Sequence, residues 1–418
     1  MRPEKSENVF IAGQQPGLLG GPLYVTYKAV GAARLANEAE NGRAVLWMET
    51  NDSDFDEISS LSFFDKENNL RRLSWSPPGD ANLSFSFLKV DSSLTELLET
   101  FFNSARKTRY SKEIREMILD IYKEGTLYKE ASAALYSEIF KDLNIEIFDP
   151  SKKGFIEYCR PMLLKEARLT KEGEQGNFFI REEGVRKAVF KKNNGWVFRD
   201  GLEADPEKGE LVPNFRTRPV CQDAYFSTHT FVVGPSEEKY LGELDDLYQR
   251  HKVKKPHIKK RMSAAIVTGK TRRIRKRTGT EMPPPGSAQR EKFIKRAVES
   301  GSPFDFDLLD NNLDEIKRIA EKTVERALTS ELSKQGRKFK KELYSASAEL
   351  RGKARAAAKA AAGELGNDAG YLYDSFYPFD IKQERVFTFF EYASILGTKE
   401  FLNLIYDGYE WNEKTFDI

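Results

Sequence analysis

The sequence predicts an α/β fold in which helices cover a parallel sheet. Residues 9–12 form a short apolar run that fits a buried strand, and residues 23–40 place apolar side chains at helical spacing. A second apolar run follows at 44–48. The order strand, helix, strand is typical of a parallel sheet.

Length and composition set the class of the protein. The chain has 418 residues, too many for one simple core, so we expect two or three domains. Its 39% hydrophobic and 32% charged residues are typical of a soluble globular protein with a solvated helical part. The first ten residues lack the apolar segment of a signal peptide, and no run of about 18 apolar residues occurs. We therefore expect a cytoplasmic protein without a membrane span.

Cysteine and histidine are scarce. The only cysteines, Cys159 and Cys221, argue against a disulfide framework and fit a reducing cytosol. With no Cys-x-x-Cys pair and three histidines in all, we predict no metal site. Cys221 lies in an apolar run and is interpreted as a core residue rather than a nucleophile, and His229 as a packing residue on a strand.

The rest of the chain divides by pattern. Residues 1–90 are predicted to form the first half of the α/β core, and 91–144 a helical insertion with a cap among Asp91, Ser92 and Ser93. Residues 145–300 are predicted to return to the core. Within them lie hairpins at 177–201 with a turn at 193–195, an apolar run at 218–235 and a helix at 236–251 capped by Ser236.

The C-terminal third is predicted to be mostly helical. MPPPG (282–286) is interpreted as a linker or rigid turn. Residues 301–366 carry apolar side chains at helical spacing, so we expect two antiparallel helices or a coiled coil, divided at Gly336. The aromatic-rich residues 367–418 are expected to pack back on the core.

The glycine-rich stretch GQQPGLLGGPLY (13–24) joins the first predicted strand to the first helix. Such a turn can bring backbone N–H groups and a helix N-terminus to an anionic ligand. It matches neither the dinucleotide nor the Walker fingerprint, so it is either a ligand loop or simply a tight turn. Gln14 and Gln15 favour a ligand loop, since they stand at the end of a strand, where open α/β sheets bind ligands.

Carboxylates follow the second predicted strand and should lie at the same sheet edge. They are Glu49, Asp52, Asp54, Asp56 and Glu57. They could hold an amino group or a metal ion. Alternatively they are a helix cap with acids in its first turn, and Asp52 and Asp54 can serve both roles.

A basic run occupies residues 251–277, with twelve lysines or arginines and no acid. VTGKTRR (267–273) is not a phosphate loop, because Ala264 stands where the first glycine is needed. Without interleaved aromatic residues, a solvated or phosphate-facing surface is favoured over a nucleic-acid site.

Five segments in order resemble the bacillithiol biosynthesis cysteine-adding enzymes. They are GQQPGLLGGPLYVTYK (13–28), WMETNDSDFDEI (47–58), PNFRTRPVCQD (213–223), VVGPSEEKYLGEL (232–244) and FYPFDIKQERVFTFFEYASILG (376–397). The resemblance implies a Rossmann-like core related to class I aminoacyl-tRNA synthetases and nucleotidyltransferases. It also implies helical connecting insertions and an α-helical coiled coil that makes a homodimer.

The activity implied by the resemblance is a cysteine ligase that joins the carboxyl of L-cysteine to the amine of glucosaminyl malate. Amide formation needs an activated carboxyl. The sequence carries no recognisable ATP signature, so the cofactor stays unknown, with ATP or another nucleotide as the chemical candidate. Expected partners are small-molecule substrates and a second copy of the chain, with neither membrane nor nucleic acid.

Site residues carry over by position within the matched motifs. The resemblance implies catalytic roles for Asp52, Asp54 and Lys28. It implies substrate binding by Gln14, Gln15, Gly17, Gly21, Pro22, Tyr24, Arg218, Gln222, Asp223, Gly234, Glu237, Arg261 and Ser263. Gln383, Glu384 and Arg385 are interpreted as structural anchors of the C-terminal segment.

The chain departs from the family at three positions predicted to contact substrate. Tyr27 and Ser53 replace two family histidines, and Asn51 replaces an acid. Tyrosine and serine transfer protons near neutral pH less well than histidine. The alternatives to the cysteine ligase are therefore a divergent ligase for another amine or amino acid, or a non-enzymatic protein that binds through its basic run and coiled coil.

Overall fold

The computed structural model describes residues 7–77, 79–280, 283, 289–300, 305–326, 330–361 and 363–418. The chain forms two compact units. The core unit contains Met1–Ile266 and Glu384–Phe416, and the helical unit contains Val267–Gln383 and Asp417–Ile418. Among the described helices, none combines the length and the apolar character that crossing a membrane requires.

The strands, in chain order, are β1 (Asn8–Gln14), β2 (Gly42–Met48), β3 (Ser60–Phe64), β4 (Leu70–Ser74), β5 (Ile145–Phe148), β6 (Gln175–Glu182), β7 (Val185–Lys192), β8 (Gly195–Phe198), β9 (Glu203–Ala204), β10 (Glu210–Pro213), β11 (Thr230–Val233), β12 (His257–Lys260), β13 (Ser263–Val267) and β14 (Glu413–Asp417).

The helices are α1 (Tyr24–Glu38), α2 (Phe55–Ile58), α3 (Ser92–Ser104), α4 (Ser111–Ile121), α5 (Tyr128–Ile139), α6 (Lys153–Leu169), α7 (Thr217–Phe226), α8 (Pro235–Leu241), α9 (Asp245–His251), α10 (Gly269–Thr278), α11 (Gln289–Ser300), α12 (Phe306–Glu325), α13 (Ser330–Ala361), α14 (Glu364–Phe376), α15 (Phe389–Leu396) and α16 (Thr398–Asp407).

A five-stranded parallel sheet organises the core unit, in the order β12-β11-β1-β2-β5. Phe10 of β1 stands opposite Thr230 on one side and Ala44 on the other. The central strands are buried on both faces, which explains why their sequences are continuous apolar runs rather than alternating ones. The predicted α/β fold with a parallel sheet is confirmed.

A second, antiparallel sheet follows the order β10-β6-β7-β8-β9 and shares a hydrophobic core with the parallel sheet. The turn between β7 and β8 places Asn193 and Asn194 at φ of 50° and 62°. Asparagine tolerates this left-handed region better than most residues, so the pair fixes a tight hairpin. The predicted hairpins are confirmed.

The helical insertion is also confirmed, as α3, α4 and α5. The Asp91 side chain caps α3 by accepting a hydrogen bond of 3.0 Å from the Leu94 N–H. Gly125, at φ 86°, lies between α4 and α5, where a left-handed residue is needed.

The predicted apolar run 218–235 divides into two elements: residues 217–226 form α7 and Thr230–Val233 form β11. Pro219 lies in the first turn of α7, where a missing N–H costs nothing. Ser236 does not cap the next helix: α8 begins one residue earlier, with Gly234 as its N-cap.

In the helical unit, α12 and α13 form an antiparallel hairpin. Arg351 contacts Asp314 at 2.7 Å and Arg355 contacts Asp310 at 3.2 Å, so later residues of one helix meet earlier residues of the other. The sequence predicts a division at Gly336, and this prediction is wrong. Gly336 lies inside α13, where an added Cβ would come within 3.0 Å of a Val324 methyl group. The predicted linker at 282–286 lies outside the described residues except for Pro283.

Candidate functional site

Four parallel strands of the core unit end at one edge of the sheet, and a cleft of about 420 Å³ lies there. Gln14 ends β1 and Gln15 follows it, Asp52 and Asp54 follow β2, Gly234 and Glu237 follow β11, and Arg261 follows β12. We call this the carboxyl-edge cleft. Its other lining residues are Tyr24, Lys28, Glu57, Phe215, Arg218, Pro235, Ser236, Tyr240 and Arg385.

Lys28 joins two of these strand ends from α1. Its ammonium group donates to the Gly13 carbonyl at 2.9 Å and to Gln14 Oε1 at 3.1 Å, and lies 2.6 Å from the Glu237 carboxylate. Burial lowers the pKa of Lys28, and the Glu237 charge opposes that effect. Every proton of this ammonium has an acceptor, so Lys28 fixes the geometry of the cleft wall.

The glycine-rich loop lies beside the cleft, but its backbone N–H groups donate to carbonyl oxygens of the loop itself. Gly20 N–H donates to Gly17 O at 3.1 Å, and Gly21 N–H donates to Leu18 O at 3.0 Å. A Cβ on Gly17 would come within 2.7 Å of the Gly21 Cα, and Gly21 has a φ of 72°. Gly17, Gly21 and Pro22 therefore form a tight turn and do not line the cleft, whereas Gln14 and Gln15 do.

The acidic wall is centred on Asp52. Its carboxylate accepts hydrogen bonds from Arg186 at 2.7 Å, from the Ser53 N–H at 2.7 Å and from Gln15 at 3.2 Å. Burial alone would raise the pKa of Asp52, but Arg186, Arg218 and these hydrogen bonds outweigh it and lower the pKa. Asp52 is therefore a persistent anion on the cleft wall.

Glu57 and Asp54 complete this wall from α2. Burial, together with the charges of Asp54 and Asp52, raises the pKa of Glu57. Asp54 holds the N-cap position of α2, but its side chain makes no capping hydrogen bond. The carboxylate of Asp54 is therefore available to a ligand in the cleft.

Three arginines also line the cleft. The guanidinium groups of Arg261 and Arg385 lie 5.0 and 5.9 Å from the centre of the Tyr24 ring. Arg218 lies 3.6 Å from Glu49 and donates to Tyr240 Oη at 3.4 Å. Within the described part of the chain, the buried Nε of Arg261 has no hydrogen-bond partner. A ligand oxygen is the natural acceptor for it.

The positions of the two family histidines differ in environment. Tyr27 is fully buried in the core unit, and its hydroxyl donates to the Ala264 carbonyl at 3.4 Å. Burial, with the Glu384 charge, raises its pKa well above the usual value. Ser53 Oγ accepts a hydrogen bond of 2.8 Å from Arg186. Neither residue lines the cleft.

Three other predicted site residues, Asn51, Gln222 and Asp223, are buried and do not line the cleft. Asn51 is buried, donates to the Pro150 carbonyl at 3.0 Å and accepts from Arg181 at 2.8 Å. Gln222 donates to Asp223 at 3.2 Å, and burial raises the pKa of Asp223 to about 6. These two residues lie in α7, about one turn beyond Arg218.

Two residues of the Gln383–Arg385 segment, Glu384 and Arg385, have different roles. Glu384 is an anchor: it accepts from Arg261 at 2.8 Å, from Ser263 at 3.2 Å and from the Ala264 N–H at 2.9 Å. Ser263 is thereby held outside the cleft lining. Arg385, in contrast, lines the cleft, which corrects its interpretation as a purely structural residue.

Sequence reasoning left several lining residues unassigned. Glu57 belonged to the acidic cluster and Arg385 to a quoted motif, so both had a signal. Phe215, which is 62% exposed, and Tyr240 lie inside the matched segments 213–223 and 232–244, so they had the same signal as Arg385. No group of three or more His, Cys, Asp or Glu side chains in the described ranges is arranged to hold a metal ion.

The parallel sheet and the cleft at its carboxyl edge define the chain as an α/β protein with a Rossmann-like domain. Residues 3–194 match the family model described as "Bacillithiol biosynthesis BshC, N-terminal Rossmann-like domain". Over this N-terminal part, the chain is similar to the BshC family.

Two relatives illustrate the divergence. The "Putative cysteine ligase BshC" of Staphylococcus haemolyticus is 25% identical over 339 residues, covering 71% of this chain and 61% of the relative. The protein of the same name from Chloroherpeton thalassium is 28% identical over 311 residues, covering 63% of this chain and 54% of the relative. The chain thus spans less than two thirds of the length of these relatives.

Among solved structures, a putative arginyl-tRNA synthetase from Campylobacter jejuni aligns with 97% of this chain and 93% of its own. The sequence identity is 10% and the TM-score is 0.29.

Proposed function

We propose that this chain is a cysteine ligase that joins the carboxyl of L-cysteine to the amine of glucosaminyl malate, forming bacillithiol. The observation that carries the proposal is the carboxyl-edge cleft itself. Carboxylates on one part of its lining face ligand space that is bordered elsewhere by arginines. Both relatives compared above carry the name cysteine ligase.

The charges of the cleft match those of the substrates. Glucosaminyl malate carries two carboxylates on its malyl group and one amine on its sugar, and cysteine carries an α-ammonium. Arg261, with its unpartnered Nε, and Arg385 suit the malyl carboxylates, because guanidinium groups bind carboxylates through paired hydrogen bonds. Asp52 and Asp54 suit an ammonium group.

The chemistry requires an activated cysteine carboxyl, which an ATP-derived adenylate or acyl phosphate would supply. The amine nitrogen then attacks the carboxyl carbon, the C–N bond forms, the phosphate-bearing group leaves and the amine loses a proton. Glu57 is the proposed proton acceptor because its raised pKa makes it the stronger base on the acidic wall. Asp52, with its lowered pKa, is proposed to orient the amine.

A second candidate is a ligase for a different amine or amino acid. Tyr27, Asn51 and Ser53 all depart from the family pattern, and the last two follow β2 next to Asp52. Because Ser53 is bonded to Arg186, a change at this position alters the support of the acidic wall. A shift of acceptor preference follows from such a change more readily than a loss of the cleft.

The test is product formation followed by mass spectrometry. Purified protein is incubated with L-cysteine and ATP and with either glucosaminyl malate or a panel of amino sugars and amino acids. The proposal predicts bacillithiol from the wild type and at least a hundredfold less from the double variant Asp52→Asn/Asp54→Asn, since the acidic wall loses both charges.

The matched control carries two exposed substitutions, Asp120→Asn and Asp142→Asn, and should keep full activity. Amide product with another acceptor only would establish the second candidate. Folded wild-type protein that yields no amide with any acceptor would contradict both.

We further propose that the α12–α13 hairpin pairs two copies of the chain. Its supporting observation is a set of exposed apolar side chains on both helices: Leu308, Ile316, Ile319, Phe339 and Leu350. Sedimentation equilibrium should report a dimer for the wild type and a monomer for Ile316→Lys/Ile319→Lys. A monomeric wild type, or a dimeric variant, would contradict this proposal.

A further inference from the structure

A second cavity of the core unit, of about 380 Å³, lies among the C-terminal end of α3, the first turns of α4 and one face of α15. It shares no lining residue with the carboxyl-edge cleft. We call it the basic pocket. Nothing in the proposed ligase chemistry uses it.

The lining of the basic pocket is strongly positive. Five of its side chains are cations and one, Glu391, is an anion. The cations are Arg106, Lys107, Arg109, Lys112 and Arg115. The rest of the lining is uncharged, and its apolar members Phe102, Ile114 and Phe390 are buried. Cations around a cavity with such low-dielectric walls concentrate a positive field inside it.

The single acid does not neutralise this field. Glu391, whose side chain is 11% exposed, is bonded to Arg106, which also stacks on the Phe64 ring at 4.9 Å. Burial raises the pKa of Glu391, and Arg106 opposes that effect. Arg106 and Glu391 thus form a neutral pair that builds the wall, and the four remaining cations are left to face the cavity or its mouth.

Of those four cations, two have an ion-pair partner among the described residues. Arg115 lies 2.6 Å from Glu99, and Lys112 lies 3.9 Å from Glu116 in an exposed helical pair, which is worth little. Lys107 donates to the Phe102 carbonyl, an uncharged acceptor, at 3.3 Å. Arg109 is exposed and has no ion pair among the described residues.

We propose that the basic pocket binds a phosphorylated small molecule. Converging guanidinium and ammonium groups are the usual recognition set for phosphate, because each phosphate oxygen accepts several charge-assisted hydrogen bonds. The volume fits a metabolite rather than a macromolecule. A ligand bound here would contact α3, α4 and α15 together and would stabilise the core unit.

Calorimetric titration of the full chain with pyrophosphate at constant ionic strength tests the proposal. The test variant is Arg109→Gln/Lys112→Gln, since both side chains are exposed and their loss leaves the Arg106–Glu391 pair intact. The control is Arg385→Gln, which removes a cation from the carboxyl-edge cleft instead. Circular dichroism verifies that both variants fold.

The proposal predicts saturable binding to the wild type and to Arg385→Gln, and affinity at least tenfold weaker for the double variant. Three results would overturn it: no saturable binding to the wild type, equal affinity in the double variant, or loss of binding only in Arg385→Gln. The last result would assign the pyrophosphate to the carboxyl-edge cleft.

Discussion

Charged residues behave differently in the carboxyl-edge cleft and in the α12–α13 hairpin. In the cleft, the Lys28 side chain is 3% exposed and contacts two oxygens of β1 as well as Glu237. In the hairpin, Lys353 is 74% exposed and pairs with Glu349 one turn away. Both pairs are salt bridges, yet only the first is part of a shaped cavity.

The difference lies in what surrounds each pair. Water screens an exposed helical pair and replaces either partner when it is lost, so such pairs contribute little to stability. A buried partner that loses its counter-charge has no such replacement. The cleft therefore depends on each of its charges, whereas the hairpin depends on its apolar contacts. Three substitutions, ordered by expected effect, measure this contrast.

The largest effect is expected from Lys28→Met, which leaves Glu237 and the Gly13 carbonyl without their buried partner. We expect a loss of about 3–5 kcal/mol in the free energy of unfolding. Lys353→Met removes an exposed pair and should leave stability unchanged. Urea unfolding followed by tryptophan fluorescence and circular dichroism checks both. Equal effects of the two substitutions would refute the contrast.

A second effect concerns acid stability and Glu166, which is 1% exposed. Burial would raise its pKa, but hydrogen bonds from His251, Asn177 and Arg250 lower it to about 2. The unfolded value is higher, so this stabilisation is complete above pH of about 4.5 and is lost as the pH falls towards 2. It amounts to about 3 kcal/mol at neutral pH.

Glu166→Gln should therefore flatten the fall in stability between pH 5 and 3, measured by urea unfolding at each pH. Glu315→Gln, in the exposed hairpin, is the matched control and should leave the curve unchanged. An unaltered pH curve in Glu166→Gln would show that the Glu166 network contributes nothing to acid stability.

A smaller effect is expected from restoring a family histidine with Tyr27→His. Because Tyr27 is fully buried, the smaller ring leaves a cavity, and we expect a loss of about 2 kcal/mol. Ligase turnover should not rise, since this position does not line the cleft. Thermal unfolding and the product assay measure the two expectations. Higher turnover without destabilisation would show that position 27 acts in the chemistry.

Much of the fold follows from local sequence. Residues 9–12 and 44–48 predict β1 and β2 because buried parallel strands need continuous apolar runs. The Asn193–Asn194 turn predicts a hairpin because few residues accept its backbone angles. Two features depend on tertiary packing and do not follow from local sequence. The apolar run at 218–235 is ambiguous between helix and strand, and Gly336 allows close helix packing rather than ending a helix.

The candidate site was less predictable than the fold, because tertiary contacts bring its residues together. Asp52 and Gln15 follow neighbouring strands, so their proximity follows from the parallel order. Arg385 belongs to a matched segment, but it lies more than three hundred residues beyond Gln15 and Asp52, so the local sequence does not place it in the cleft. The glycine-rich stretch is compatible with either a ligand loop or a tight turn, and only the hydrogen bonds show that the turn at Gly17 and Gly21 is closed on itself.

The most direct test of the cleft as the ligase site is the product assay applied to two matched arginine substitutions. Arg385→Gln removes a cation from the cleft, and Arg318→Gln removes an exposed one from the hairpin. The account predicts bacillithiol formation by the wild type and by Arg318→Gln. It predicts at least tenfold lower kcat/KM for glucosaminyl malate in folded Arg385→Gln. Equal kcat/KM in the two variants would contradict the placement of the substrate in the carboxyl-edge cleft.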